Sequence, residues 1–143
     1  MNTMSGGCYC GNIRFELGLS RPPAAYNPRA CDCDFCTKHG AAWLSDAQGA
    51  LTVRVQDANE TARYRQGSGQ AEFLLCTRCG VLTGVFYNAG GLLFAAVNAR
   101  AVGGRVSFGP EQMVSPKTLS AGDKAKRWQD VWFSKVHIGP ADV

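Results

Sequence analysis

Cysteine is the residue type in this chain best placed to do chemistry. Its seven cysteines stand in three short groups: Cys8 and Cys10; Cys31, Cys33 and Cys36; Cys76 and Cys79. An odd number of thiols in a chain expected in a reducing compartment argues against a disulfide framework and for metal binding. Zinc takes four thiolate or imidazole ligands in a tetrahedron, and two cysteines one or two residues apart on a tight turn can fill adjacent corners. Cys8/Cys10 and Cys76/Cys79 share a form, a close pair followed directly by a glycine, Gly11 or Gly80. A glycine there can take the backbone conformation that turns amides toward a ligand sulfur. The two pairs are expected to close one structural Cys₄ zinc site, contributing on the order of 10 kcal/mol to folding.

Cys31, Cys33 and Cys36 remain as a set of three, the count expected when zinc keeps its fourth position open for water or substrate. Two readings follow. The site is open and reactive, or His39, three residues after Cys36, closes it as Cys₃His. In an open site His39 is the candidate catalytic proton shuttle, because an unperturbed histidine titrates near neutral pH. His137 has no comparable context. Asp32 and Asp34 alternate with the cysteines and are read as facing amides or solvent. Arg29, Lys38 and Arg78 neighbour ligand cysteines and either offset thiolate charge or attract a carboxylate-bearing thiol. Trp43 and Phe35 either line the open position or simply pack. A redox dithiol would sit at a helix N-terminus in a βαβ setting, which the sequence does not show. An iron–sulfur centre accounts less well for two pairs and a separate triad than two mononuclear sites do.

The elements that must position these groups are mostly strands. Ile13, Phe15 and Leu17 alternate with Arg14 and Glu16, and Leu51, Val53 and Val55 alternate with Thr52, Arg54 and Gln56, which predicts two half-buried strands. Apolar runs at 73–75, 81–87 and 92–97, punctuated by Gly80, Gly84, Gly90 and Gly91, predict further strands, with a hairpin turn over 88–91. The one stretch of helical composition is 121–132, with Asp123 as its cap. Residues 103–116, with Gly109, Pro110 and Pro116, read as a loop. The expected fold is mainly β, small antiparallel sheets with one short C-terminal helix. At 143 residues, a single domain over 1–143 is expected.

The formal net charge of +4 suggests a basic protein, yet seven thiolates on two zinc ions bring it to about +1. No dense run of Lys and Arg is present, and nucleic acid is not an expected partner. No stretch approaches the roughly 20 apolar residues of a membrane-spanning helix. Residues 1–7 have neither the basic start nor the apolar run of a secretory signal, so the cytoplasm is the expected compartment.

Taken together, these residues resemble the glutathione-dependent formaldehyde-activating enzyme (GFA) family, which includes centromere-protein-V-like proteins. The resemblance rests on Gly6-Gly7-Cys8-Tyr9-Cys10-Gly11-Asn12-Ile13-Arg14-Phe15-Glu16, on Cys31-Asp32-Cys33-Asp34-Phe35-Cys36 with Gly40 and Trp43, and on Cys76-Thr77-Arg78-Cys79-Gly80. It implies an Mss4-like zinc-binding fold with two Zn²⁺ per chain: Cys8, Cys10, Cys76 and Cys79 structural, and Cys31, Cys33 and Cys36 at the reactive metal. It also implies a carbon–sulfur lyase that joins glutathione or a similar thiol reversibly to formaldehyde or another small aldehyde. The alternative is a non-catalytic, zinc-stabilised module binding protein or nucleic acid, favoured if His39 closes the triad. The chain departs from the family pattern at Leu75, where an aromatic is common, and at His39, where a small residue is common. The sequence after Arg100 matches no part of the pattern.

Overall fold

The computed structural model describes residues 1–140. The chain runs through β1 (Asn2–Gly7), β2 (Ile13–Leu19), β3 (Arg29–Cys31), helix α1 (Asp34–His39), β4 (Trp43–Leu44), β5 (Ala50–Val55), β6 (Thr61–Tyr64), β7 (Glu72–Cys76), β8 (Leu82–Ala89), β9 (Leu92–Asn98), β10 (Gln112–Val114), helix α2 (Ala121–Val131) and β11 (Lys135–Pro140). Two sheets result, ordered β1-β2-β5-β11 and β10-β3-β4-β9-β8-β7-β6. The mainly β architecture expected from the sequence is present.

The alternation in β2 and β5 has a direct physical outcome. Ile13, Phe15, Leu17, Leu51 and Val53 turn inward, and they meet Leu74, Cys76, Phe86, Ala95 and Val97 of the larger sheet in one core. The opposite face of that sheet, carrying Phe73, Leu82, Val85, Phe94 and Ala96, packs in a second core with Trp43, Cys36 and Trp132. Strands buried on both faces read as continuous apolar runs rather than alternating ones, which is the pattern at 73–75 and 92–97. The β8–β9 hairpin closes through Gly90 and Gly91, at φ 59° and 94°, between the paired residues Ala89 and Leu92. Both signs fit the tight primed turn expected there.

Several features differ from the sequence expectation. Two edge pairings are parallel, β10 with β3 and β11 with β5, while the others are antiparallel. Residues 103–116 are not loop throughout: Gln112, Met113 and Val114 add to the sheet edge at Arg29, Ala30 and Cys31, a ladder too short to show a period. A second helix, α1, lies inside the cysteine triad. Helix α2 forms as expected, but Ser120 is its cap, its Oγ accepting from the Asp123 amide at 3.1 Å. Asp123 sits in the first turn, where a carboxylate favours the helix dipole instead. Just after α2, Phe133 is fully buried and exchanges two backbone hydrogen bonds with Ala95, at 2.9 and 3.1 Å. This antiparallel bridge pins the end of the helix to the edge of β9 at Ala95. Among the described residues, no helix is long and apolar enough to cross a membrane.

Candidate metal centres and the adjoining cavity

Cys8 and Cys10 lie in the turn between β1 and β2, and Cys76 and Cys79 flank the turn from β7 to β8. The two turns are built alike. The Cys8 amide donates to the Ile13 carbonyl at 2.9 Å, and the Cys76 amide to that of Val81 at 3.1 Å. Gly11 and Gly80 stand at φ +85° and +81°, a left-handed conformation that a side chain disfavours. The four sulfurs all lie within 4.8 Å of one another. The Ile13 amide donates to the Cys8 sulfur at 3.2 Å, one of the amide-to-sulfur contacts anticipated from the glycines. Burial pushes the Cys8 thiol up to about 11, with the neighbouring thiols acting in the same direction against the Ile13 amide. At Cys79 burial also raises the value, but amides from Cys10 and Val81 and the thiols of Cys76 and Cys8 outweigh it, bringing it to about 6. Four sulfurs this close repel one another as thiolates unless a cation joins them, which suits a soft metal ion.

The triad forms on the other face of the large sheet. Cys31 ends β3, Cys33 caps α1, and Cys36 lies inside the helix, buried in the second core. The Cys33 sulfur accepts from the Cys36 amide at 3.4 Å, so a ligand candidate does the work of a helix cap. The three sulfurs lie mutually within 4.8 Å, and among the described residues no His, Cys, Asp or Glu joins them as a fourth. The Cys31 thiol is lowered to about 6, chiefly by the hydrogen bond from Cys36 and against burial. Cys36 is pushed far up by that same contact and by burial, opposed by the Trp43 indole N–H.

The other sequence candidates divide sharply. Trp43 joins the triad. His39 is exposed at the end of α1, its ring 4.7 Å from that of Phe35, outside the sulfur set. Phe35 packs on Phe73 and Tyr64. Asp32 points away from the sulfurs, accepting from the Ser115 hydroxyl and facing Lys117 at 3.9 Å, while Asp34 occupies the first turn of α1. Arg78 pairs with Asp57 at 3.8 Å, and Lys38 and His137 are exposed.

A cavity of about 140 Å³ opens beside the triad, whose three cysteines form part of its wall. Trp43, Trp128 and Trp132 supply apolar surface, and Arg29 and Arg127 supply charge. Trp128 and Trp132 stack at 5.1 Å between ring centroids. Arg29 donates to the Ser45 hydroxyl at 2.7 Å, and Ser45 donates onward to the Val131 carbonyl at 2.8 Å. Burial, reinforced by the Arg127 guanidinium, lowers Arg29 to about 10, so it remains charged at neutral pH. Gln66, from the turn between β6 and β7, brings its amide nitrogen to 3.9 Å from the Cys33 sulfur. Sequence reasoning missed Gln66, Arg127, Trp128 and Trp132. The one available signal was the spacing of Lys124, Arg127, Trp128 and Trp132 along a single helix face.

A β-rich protein with one group of four sulfurs, and a second of three facing a cavity, has two cysteine groups that could each hold a metal ion. The chain is a member of the glutathione-dependent formaldehyde-activating enzyme family, whose family model matches residues 3–111. That segment holds all seven cysteines and ends before α2. The chain is also similar to a crystal structure of a Rhodobacter sphaeroides protein, at 27% identity and a TM-score of 0.53, covering 71% of this chain and 89% of that one.

Proposed function

We propose that this protein is a zinc-dependent carbon–sulfur lyase that joins glutathione or a similar thiol reversibly to formaldehyde or another small aldehyde. The observation that carries the reading is the triad: three converging sulfurs, joined by no fourth His, Cys, Asp or Glu among the described residues, opening on a cavity. Cys8, Cys10, Cys76 and Cys79 would complete a tetrahedron around a structural zinc, whereas Cys31, Cys33 and Cys36 would leave one position free. A zinc bound at the triad supplies Lewis acidity and lowers the pKa of a thiol at the free position.

The protein's own residues prepare the site. The Cys36 amide, donating to the Cys33 sulfur, orients one of the three sulfurs. Three indole rings along the cavity exclude water, so charge that develops during reaction is less screened. Arg29 offsets the anionic ligand set. In the forward direction a sulfur electron pair forms the carbon–sulfur bond as the carbonyl π bond breaks, and the thiol proton ends on the new hydroxyl. Reversal breaks the same bond and returns the proton. No electrons are gained or lost, so no oxidant is required.

Thiol and formaldehyde also combine unaided, so the test is a rate above background. Exchange spectroscopy of glutathione, formaldehyde and their adduct at equilibrium should show faster interconversion with zinc-loaded protein, and the background rate with Cys33→Ser. A rate equal to background for the loaded native chain would refute catalysis and favour the binding-module reading.

A further inference from the structure

Two guanidiniums share the cavity wall with the triad, and among the described residues neither makes an ion pair with a carboxylate. Among the described residues, ion pairs engage Arg65, Arg78, Arg100 and Lys117, leaving Arg29 and Arg127 without a carboxylate. Arg29 is tied at one nitrogen to Ser45. Like charges held near one another in a partly desolvated site are unfavourable unless an anion lies between them. The thiolates do not absorb all of this charge. Three thiolates with a dication would leave one negative charge against Arg29, Arg127 and Lys124 together, so the wall carries surplus positive charge.

The placement defines what the anion must be attached to. Arg29 and Cys31 are two residues apart on β3, so their side chains share a face of the strand, with about 7 Å between their Cα atoms. On α2, Lys124, Arg127 and Trp128 recur at helical spacing and all line the cavity, with Trp132 one turn further. This wall lies outside residues 3–111, the segment that the family model matches.

Resting on the reading of the triad as an open thiol site, we infer that Arg29 and Arg127 form a carboxylate clamp. Arg127 of α2 then determines which thiol the cavity accepts: one bearing a carboxylate about a residue's length from its sulfur. The apolar backbone of that thiol lies against Trp128 and Trp132. Arg127 is a specificity-determining residue supplied by the part of the chain that the family does not define.

The test uses the full zinc-loaded chain, tryptophan fluorescence, and four probes: mercaptoacetylglycine, its amide, and the S-methyl thioether of each. Charge-assisted bidentate contact predicts that the acid binds about tenfold or more tightly than the amide. Arg127→Gln should reduce that preference to less than about threefold and leave amide affinity within about twofold, with zinc content and circular dichroism unchanged. Equal affinity for acid and amide in the native chain, absence of acid binding, or a preference that survives Arg127→Gln would each overturn the clamp. Acid over amide should hold for the thioethers as well. Equal binding of thiol and thioether would sink the open thiol site while leaving the clamp intact, which separates the two claims.

Discussion

Asp46 anchors the loop that delivers β3 to the triad, and its removal has a magnitude that the structure supplies. Its Oδ2 accepts from the Tyr26 hydroxyl at 2.6 Å, the Ser20 hydroxyl at 2.6 Å and the Ser20 amide at 2.8 Å. Its Oδ1 accepts from the Gln48 amide at 2.9 Å. Burial raises the carboxyl, but these donors outweigh it and hold the pKa at about 2 against an ordinary 3.8. At about 1.4 kcal/mol per pKa unit, the ionised form stabilises the fold by about 2 kcal/mol. Because the folded value is depressed, this contribution is fully present above about pH 5, falls to about half by pH 3, and is lost through pH 2. Asp46→Asn keeps the shape but cannot accept from all four donors, so a loss of about 2 kcal/mol is expected at pH 7, a fall of roughly 6 °C in melting temperature. Urea denaturation of both proteins, metal-loaded at pH 7, measures the difference. A difference below about 0.5 kcal/mol would refute the reasoning.

Cys76 lies fully buried between β7 and the core, so Cys76→Ser should lose the structural metal and, with a contribution on the order of 10 kcal/mol removed, cooperative unfolding by circular dichroism. Phe133→Ala should cost about 3–5 kcal/mol in urea titrations, because a fully buried ring that also seats α2 on β9 leaves a cavity. His39→Ala should retain every metal present in the native chain by plasma mass spectrometry, as the ring lies outside the sulfur set. A changed pH–activity profile in the same variant would assign His39 a proton-shuttle role, and an unchanged profile would deny it.

The reach of the sequence followed the range of the interactions. Cysteine spacing and the glycines after Cys10 and Cys79 act within one turn, and both sulfur groupings read from them are present in the structure. The alternation in β2 and β5, and the unbroken runs in β7 and β9, reflect burial on one face or two. By contrast, β1 carries almost no apolar signal in its sequence NTMSGG; it is a strand because β2 offers a ladder. Strands β3 and β10 are three residues each, too short for a period. Helix α1 spans six residues and is capped by Cys33, a residue type outside the usual capping set. The cavity was hidden for a further reason: Arg127, Trp128 and Trp132 reach the triad only because Phe133 docks on Ala95, a contact with no local trace.

The central claim is a second metal site at Cys31, Cys33 and Cys36, distinct from the four-cysteine cluster. Its most direct test is zinc per chain in protein purified without oxygen, for the native chain and for Cys33→Ser. Two zincs falling to one in a variant that stays folded is the predicted result. A single zinc unaffected by Cys33→Ser would contradict the account and leave a structural zinc protein without a reactive centre.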